Sequence, residues 1–113
     1  MSKRVLQTMH TNIQRGEIVA GSPECYHIQH TQSGKFVNTI KFQKGEIKEE
    51  GLNGIFIEDM LLISIDQLEH FQEGDFSCQE NEDTLHHLRN ALATTRARQY
   101  ERQIRNVQGK YLK

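Results

Sequence analysis

The 113-residue sequence contains no tryptophan, a single proline and only two cysteines. It also lacks a long apolar run: residues 60–65 form the longest one, and Ser64 already interrupts it. A membrane-spanning helix needs about 20 apolar residues, and a secretory signal needs an apolar stretch that the N-terminal residues do not supply. Two cysteines cannot form a disulfide framework. We therefore expect a soluble, cytoplasmic protein with no membrane partner.

Apolar residues are scarce as well, since only 35% of the chain is hydrophobic. A chain of this length is expected to form one domain, 1–113, with a thin core of its own. Association with further copies would bury more apolar surface. The composition therefore favours a homo-oligomer.

The formal net charge of −1 hides an uneven distribution. Residues 1–44 carry six basic and two acidic residues, residues 45–83 carry one basic and twelve acidic, and residues 84–113 carry seven basic and one acidic. A basic C-terminal segment indicates an anionic partner, most often a phosphate. Pairing with the acidic segment of a neighbouring subunit explains the pattern equally well, and composition does not separate the two interpretations.

The periodicity predicts an α+β fold, with a small antiparallel β-sheet in the N-terminal half followed by two helices. Strand-forming residues on both sides of the QSGK turn predict a β-hairpin over about 24–43, and the glycine-rich segment 44–54 is typical of a loop. Helical spacing of apolar residues predicts a helix over 57–71 and a long final helix over 80–105. Their apolar positions are Ile57, Leu61, Ile65 and Leu68 in the first helix and Leu85, Leu88 and Leu92 in the second. The first twenty residues fit no pattern clearly.

The final helix changes character after Leu92, where the apolar stripe fades and arginines follow. Arg98 and Arg102 lie four residues apart, so both guanidinium groups are expected on one helix face, and Arg96 on another. Such a pair can bind a diphosphate, whose oxygens match the guanidinium fork. A solvated basic face is the simpler interpretation, and spacing alone favours it. If the two arginines clamp a diphosphate, an Arg102→Glu change should abolish binding and leave the folding of the free protein intact.

Catalytic and metal-binding constellations are not evident in the sequence. His27 and His30 are three residues apart in a predicted strand, so they point to opposite faces of the sheet. His86 and His87 are neighbours on a helix and diverge by about 100°. We therefore expect no catalytic residues, no metal and no cofactor.

Four motifs follow one another in order over about residues 42–109. They are FQKGEIKEEGLNG (42–54), HFQEGDFSCQEN (70–81), the arginine pair Arg98 and Arg102, and RNVQG (105–109). In this order and spacing they resemble the phage Thoeris anti-defence sponge family of the first described type. The family pattern often has Pro and Trp where this chain has Glu46 and Thr94, which leaves the choice of ligand open.

The resemblance implies a binding protein and not an enzyme. Such proteins sequester cyclic ADP-ribose isomers made by bacterial TIR-domain defence proteins, and some assemblies also hold cyclic oligonucleotides at separate sites. The resemblance thus implies a small cyclic nucleotide partner and the cytoplasm of the host bacterium as location.

The resemblance also assigns roles position by position. Phe71 corresponds to the aromatic residue that packs on the ligand's base, and Asn81 to a polar contact. Arg98 and Arg102 correspond to the phosphate-binding pair. The alternative function is a small nucleic-acid-binding module built on the arginine-rich helix, but the neighbouring acidic segment would repel a long polyanion, so nucleic acid is not the expected partner.

Helix geometry adds a constraint on this site. Asn81 and Arg98 are seventeen residues apart, which corresponds to about 25 Å along a straight helix. A cyclic ADP-ribose is much smaller than that distance. Antiparallel packing of two final helices would bring Asn81 of one chain beside Arg98 and Arg102 of the other. We therefore expect a homodimer with two equivalent pockets, and a hexamer as the larger assembly.

Overall fold

The computed structural model describes residues 6–104. The chain divides into two compact units, Met1–Ile55 and Phe56–Lys113. The first unit is built of strands and the second of helices. The expectation of one domain over 1–113 stays a prediction.

The first unit contains a four-stranded antiparallel sheet in the order β1-β2-β5-β6. Its strands are β1 (Leu6–Gln7), β2 (Thr11–Arg15), β5 (Cys25–His30) and β6 (Phe36–Lys41). Between β2 and β5, the short strands β3 (Ile18–Val19) and β4 (Ser22–Pro23) form a separate ribbon. Strands β5 and β6 lie within the predicted hairpin 24–43, whereas the others fall where the sequence had no clear pattern.

The glycine-rich segment 44–54 contains one turn of helix, α1 (Ile47–Glu50). Two side-chain amides hold this segment together from inside. The Asn53 amide group donates to the Lys44 carbonyl at 2.9 Å and accepts from the Lys44 N–H at 3.0 Å, and the Gln43 side chain accepts from the Asn53 N–H at 2.8 Å. A Cβ at Gly54 would lie 2.4 Å from the carbonyl carbon of Phe42, so only glycine fits there. The first motif of the resemblance is therefore accounted for by the loop's own structure.

The second unit is an antiparallel pair of helices, α2 (Ile57–Gln72) and α3 (Gln79–Ile104). These bounds agree with the predicted 57–71 and 80–105 to within a residue, and Arg105 lies outside the described residues. Helix α2 begins after Phe56, whose N–H donates to the Asp59 carboxylate at 2.8 Å and is thereby satisfied. The predicted fold class, an antiparallel sheet followed by helices of which the last is long, is confirmed.

The core between α2 and α3 is thin, as the composition predicts. Ile65 is 8% exposed and Leu85 2%, and they are the buried apolar side chains among residues 6–104. The other predicted stripe positions are half-buried, except for Ile57, which is 56% exposed. The first position of the α2 stripe thus lies outside the core.

Two ion pairs also join these helices. Arg89 contacts the Glu69 carboxylate at 2.8 Å, and Arg96 contacts Glu58 at 2.5 Å. Acidic and basic segments of the sequence therefore partly neutralise each other within one chain. The pairs are largely exposed, so each contributes on the order of 0.2–1 kcal/mol.

Leu85→Ala should lower the free energy of unfolding by about 2–5 kcal/mol, because it leaves a cavity where the helices meet. Leu62→Ala removes the same atoms from a side chain that is 39% exposed, and it should cost clearly less. Urea denaturation followed by circular dichroism measures both. Equal losses would show that Leu85 is not the centre of the core.

The pKa of His70 is raised above 6.5, first by its hydrogen bond to the Asp66 carbonyl and then by the carboxylates of Asp66, Glu73 and Glu69. The charged imidazole thus stabilises the folded state below the unfolded-state pKa, and this contribution is lost as the pH rises through the folded-state pKa. The difference in melting temperature between the wild type and His70→Gln should therefore be larger at pH 5 than at pH 9. A difference that grows with pH would contradict the assignment.

Candidate functional site

The four residues assigned to ligand binding lie at opposite ends of the helix pair. Phe71 and Asn81 lie next to the turn between α2 and α3, whereas Arg98 and Arg102 lie in the last two turns of α3. Helix α3 is continuous from Gln79 to Ile104, so about 25 Å separates Asn81 from Arg98. The structure therefore does not bring the four residues together within one chain.

The open end of the helix pair contains a concavity of about 460 Å³. Its walls come from the start of α2 and the end of α3, and its lining residues are Phe56, Ile57, Thr94, Thr95, Arg98, Gln99 and Arg102. The exposed position of Ile57 is explained here, because its side chain forms part of the apolar wall. Arg98 and Arg102 lie one helical turn apart, and both line the same largely apolar concavity.

The two arginines differ in burial. Arg98 is exposed, whereas Arg102 is only 8% exposed. The expectation that Arg102 belongs to a solvated basic face is therefore wrong. Reversing its charge would place a carboxylate in a site that has little access to water, at a substantial cost in free energy. The expectation that Arg102→Glu leaves folding intact is corrected for the same reason.

Thr94 lies in this concavity at the position where the family pattern often has Trp. Its hydroxyl donates to the Asn90 carbonyl at 3.1 Å, so the short side chain is held against its own helix. A small residue here leaves the recess open. The substitution therefore acts on the shape of the concavity.

Two aromatic rings, Phe71 and Phe76, lie where the turn joins α2 to α3, and we call this pair the aromatic corner. Phe71 is 40% exposed and Phe76 74% exposed, and their ring centroids are 6.1 Å apart with planes at 68°. Phe71 thus does not close the core, which agrees with a role at the surface. A planar ring stacked on Phe71 would meet the edge or face of Phe76.

Two amide side chains fix this aromatic corner. The Asn81 Nδ2 donates to the Phe76 carbonyl at 3.0 Å. The Gln72 side chain accepts from the Cys78 N–H at 2.9 Å and donates to the Cys78 carbonyl at 3.0 Å. Asn81, expected as a direct contact to the ligand, is therefore engaged in positioning Phe76.

Sequence reasoning missed Gln72 and Phe76, although a signal for them exists. The pattern Phe-Gln-x-Gly occurs twice, at 42–45 and at 71–74. In both copies the glutamine side chain bonds to the backbone of the loop that follows: Gln43 to Gly51 and Asn53, and Gln72 to Cys78. The repeated pattern marks two loops held by side-chain amides.

Within residues 6–104, His, Cys, Asp and Glu do not form a cluster of three or more that could hold a metal ion. None of the helices in the same part of the chain combines the length and apolar character that crossing a membrane requires.

The seven lining residues of the concavity include no carboxylate, imidazole or thiol. The recess is thus suited to binding an anion with an apolar body.

Comparison with known proteins identifies the family of this chain. The family described as "Acb2/Tad1, hairpin domain" matches residues 37–99, more than half of the chain. The protein "Thoeris anti-defense 1" of Bacillus phage SBSphiJ7 is 37% identical over 75 residues, which cover 66% of this chain and 53% of that protein. The match thus spans about half the length of this relative. The resemblance seen in the motifs is confirmed, and the chain belongs to the Acb2/Tad1 hairpin-domain family.

Proposed function

We propose that the protein is a Thoeris anti-defence protein that binds a cyclic ADP-ribose isomer and sequesters it without cleaving it. It would act in the cytoplasm of the host bacterium, where TIR-domain proteins make this signal. Cyclic oligonucleotides at a separate site are a further candidate ligand. Membership of the family supports the anti-defence role, and the geometry of the helix pair supports the class of ligand.

The observation that carries the proposal is the pair of arginines, Arg98 and Arg102, that line one largely apolar recess. A cyclic ADP-ribose isomer contains a diphosphate between two ribose units and a base. Arg98 and Arg102 provide forked donors that match adjacent phosphate oxygens. Phe56 and Ile57 provide an apolar wall, and the volume of about 460 Å³ lies in the range of small-molecule sites. The recess thus suits the charged half of such a ligand.

The base would be bound by the aromatic corner of a second chain. Phe71 and Phe76 are exposed, and the backbone that carries Phe76 is held by Asn81, so the turn that presents the two rings is already ordered before a base stacks on them. Two α3 helices packed antiparallel would place this corner beside the partner chain's arginine recess. Each homodimer would then have two equivalent sites, and a hexamer would consist of three such pairs.

The residue types that line the recess support sequestration without cleavage. Hydrolysis of a diphosphate or a glycosidic bond needs a general base, a nucleophile or a metal ion. Arginine, threonine, glutamine, phenylalanine and isoleucine supply charge, hydrogen bonds and apolar contact instead. The bound ligand should therefore be released unchanged when the protein is denatured.

The nucleic-acid alternative loses support from the ion pairs. Arg89 and Arg96 are paired with Glu69 and Glu58, so the arginine-rich helix does not present a continuous basic stripe. Retardation of RNA or DNA in a gel should be absent or weak. Nucleic-acid binding as tight as that of the cyclic ligand would favour the alternative.

Arg98→Glu should weaken binding of a cyclic ADP-ribose isomer, measured by calorimetry, by about 1.5–3 kcal/mol or more. Arg102→Lys should be intermediate, because it keeps the charge and loses the fork, and it avoids the buried carboxylate of Arg102→Glu. Lys35→Glu is the matched control, since it makes the same change of charge at an exposed turn of the first unit. If this control weakens binding as much as Arg98→Glu does, the attraction is diffuse and the two-arginine site is wrong.

Mixing two variants that each bind weakly tests whether the site is shared between two chains. Phe71→Ala should weaken binding by about 1–3 kcal/mol through loss of stacking. The Phe71→Ala and Arg98→Glu chains are unfolded together and refolded. Each heterodimer should then have one site in which both Phe71 and Arg98 are unchanged, and one site that carries both substitutions. About a quarter of all sites would thus regain wild-type affinity. Recovery of none of the sites would mean that Phe71 and Arg98 do not meet across two chains.

A further inference from the structure

The sheet of the first unit brings together three side chains that the ligand site does not use. Cys25 and His27 are two residues apart on β5, so they lie on the same face of the sheet. The Cys25 Sγ lies 3.5 Å from the His27 Nε2, and the His27 Nδ1 lies 2.9 Å from the Thr39 hydroxyl. Thr39 is the cross-strand partner of His27 on β6. The three groups therefore form one hydrogen-bonded chain across two strands.

This arrangement has the geometry of an activated nucleophile. With the ring proton on Nδ1, His27 donates to the Thr39 hydroxyl and its free Nε2 accepts the thiol proton of Cys25. A nucleophile bonded to a base, with a third group that orients the base, is the common arrangement at sites of covalent chemistry. Sequence reasoning considered His27 with His30, whereas the strand pairs it with Cys25.

The neighbours of Cys25 on the two adjacent strands are a glycine and a lysine, and the lysine favours an anionic reactant. On the β2 side lies Gly16, whose N–H donates to the Cys25 carbonyl at 2.8 Å. A Cβ on Gly16 would lie 2.6 Å from the Cys25 sulfur, so the sulfur packs directly against this glycine. On the β6 side the cross-strand partner is Lys41, which shares the face of Cys25, and Gln14 of β2 faces His27. Lys41 is thus the charged side chain that the strand register places beside the thiol.

We propose that Cys25, with His27 as its base, is a reactive-thiol site that forms mixed disulfides with anionic low-molecular-weight disulfides. The Cys25 sulfur attacks one sulfur of the disulfide, a new S–S bond forms and the original one breaks. The thiol proton passes to His27 Nε2 and then to the leaving thiolate. The products are one mixed disulfide at Cys25 and one free thiol, with no other oxidant.

The class of reactant follows from the surroundings of the sulfur. Cys25 and His27 supply a nucleophile and a base, so the reactant has to bring its own leaving group. A disulfide does so and needs only a linear approach of three sulfurs. The ammonium group of Lys41 attracts a disulfide that carries carboxylates and disfavours one that carries amines.

Cys78 serves as the internal control, since it is exposed while Cys25 is half-buried. Exposure alone predicts that Cys78 reacts faster. We expect the reverse with oxidised glutathione: peptide-resolved mass spectrometry should show Cys25 modified at least about tenfold faster. Equal rates, or a faster reaction at Cys78, would overturn the proposal.

Variants identify the cause of the reactivity. His27→Gln should slow the reaction of Cys25 by about tenfold or more and leave Cys78 unchanged, and Thr39→Val should have a smaller effect in the same direction. Lys41→Glu should slow the reaction with oxidised glutathione and not with cystamine, a cationic disulfide. All three side chains are exposed, so melting temperatures should stay close to that of the wild type. An unchanged Cys25 rate in His27→Gln overturns the role of the base, and equal effects of Lys41→Glu on both disulfides overturn the anionic class.

Discussion

The length of helix α3 is the constraint on which the candidate ligand site depends. Its 26 residues form one uninterrupted helix of about 39 Å. The helix places an aromatic corner at one end and an arginine recess at the other. A ligand the size of a cyclic ADP-ribose cannot contact both ends of α3 in the same chain. Because a hydrogen-bonded helix is rigid, its two ends can contribute to one binding site only when they come from two different chains.

The apolar core is small, and hydrogen bonds from side-chain amides hold the loops in place. The buried apolar side chains among the described residues are Ile65 and Leu85. Gln43 and Asn53 hold one loop, while Gln72 and Asn81 hold the turn between the helices. Each of these amides bonds to backbone groups of a loop or turn. Such contacts are directional, so they define the shape of a loop more precisely than apolar packing does.

Local patterns predicted the helices and the β5–β6 hairpin, because apolar spacing and turn residues act within a few positions of the chain. The strands β1 to β4 are two to five residues long, and such lengths leave too few positions for alternation to appear. The burial of Arg102 depends on neighbours that are distant in sequence, so spacing alone placed it at the surface. The roles of Gln72 and Phe76 were accessible in principle, since the Phe-Gln-x-Gly pattern occurs twice. The meeting of His27 with Thr39 depended on strand register, which the sequence did not define.

Gly54 belongs to a motif that indicates the structure of a loop and not the identity of a ligand. The glycine approaches the Phe42 backbone so closely that any side chain would push apart the segments that carry Phe42 and Ile55. The loop itself requires glycine at this position, whatever molecule the protein binds. Proteins that share the Asn-Gly ending of this motif are therefore expected to share a scaffold, while their ligands are free to diverge through changes in residues such as Thr94. Recognition of the scaffold and inference of the ligand thus draw on different residues of the same chain.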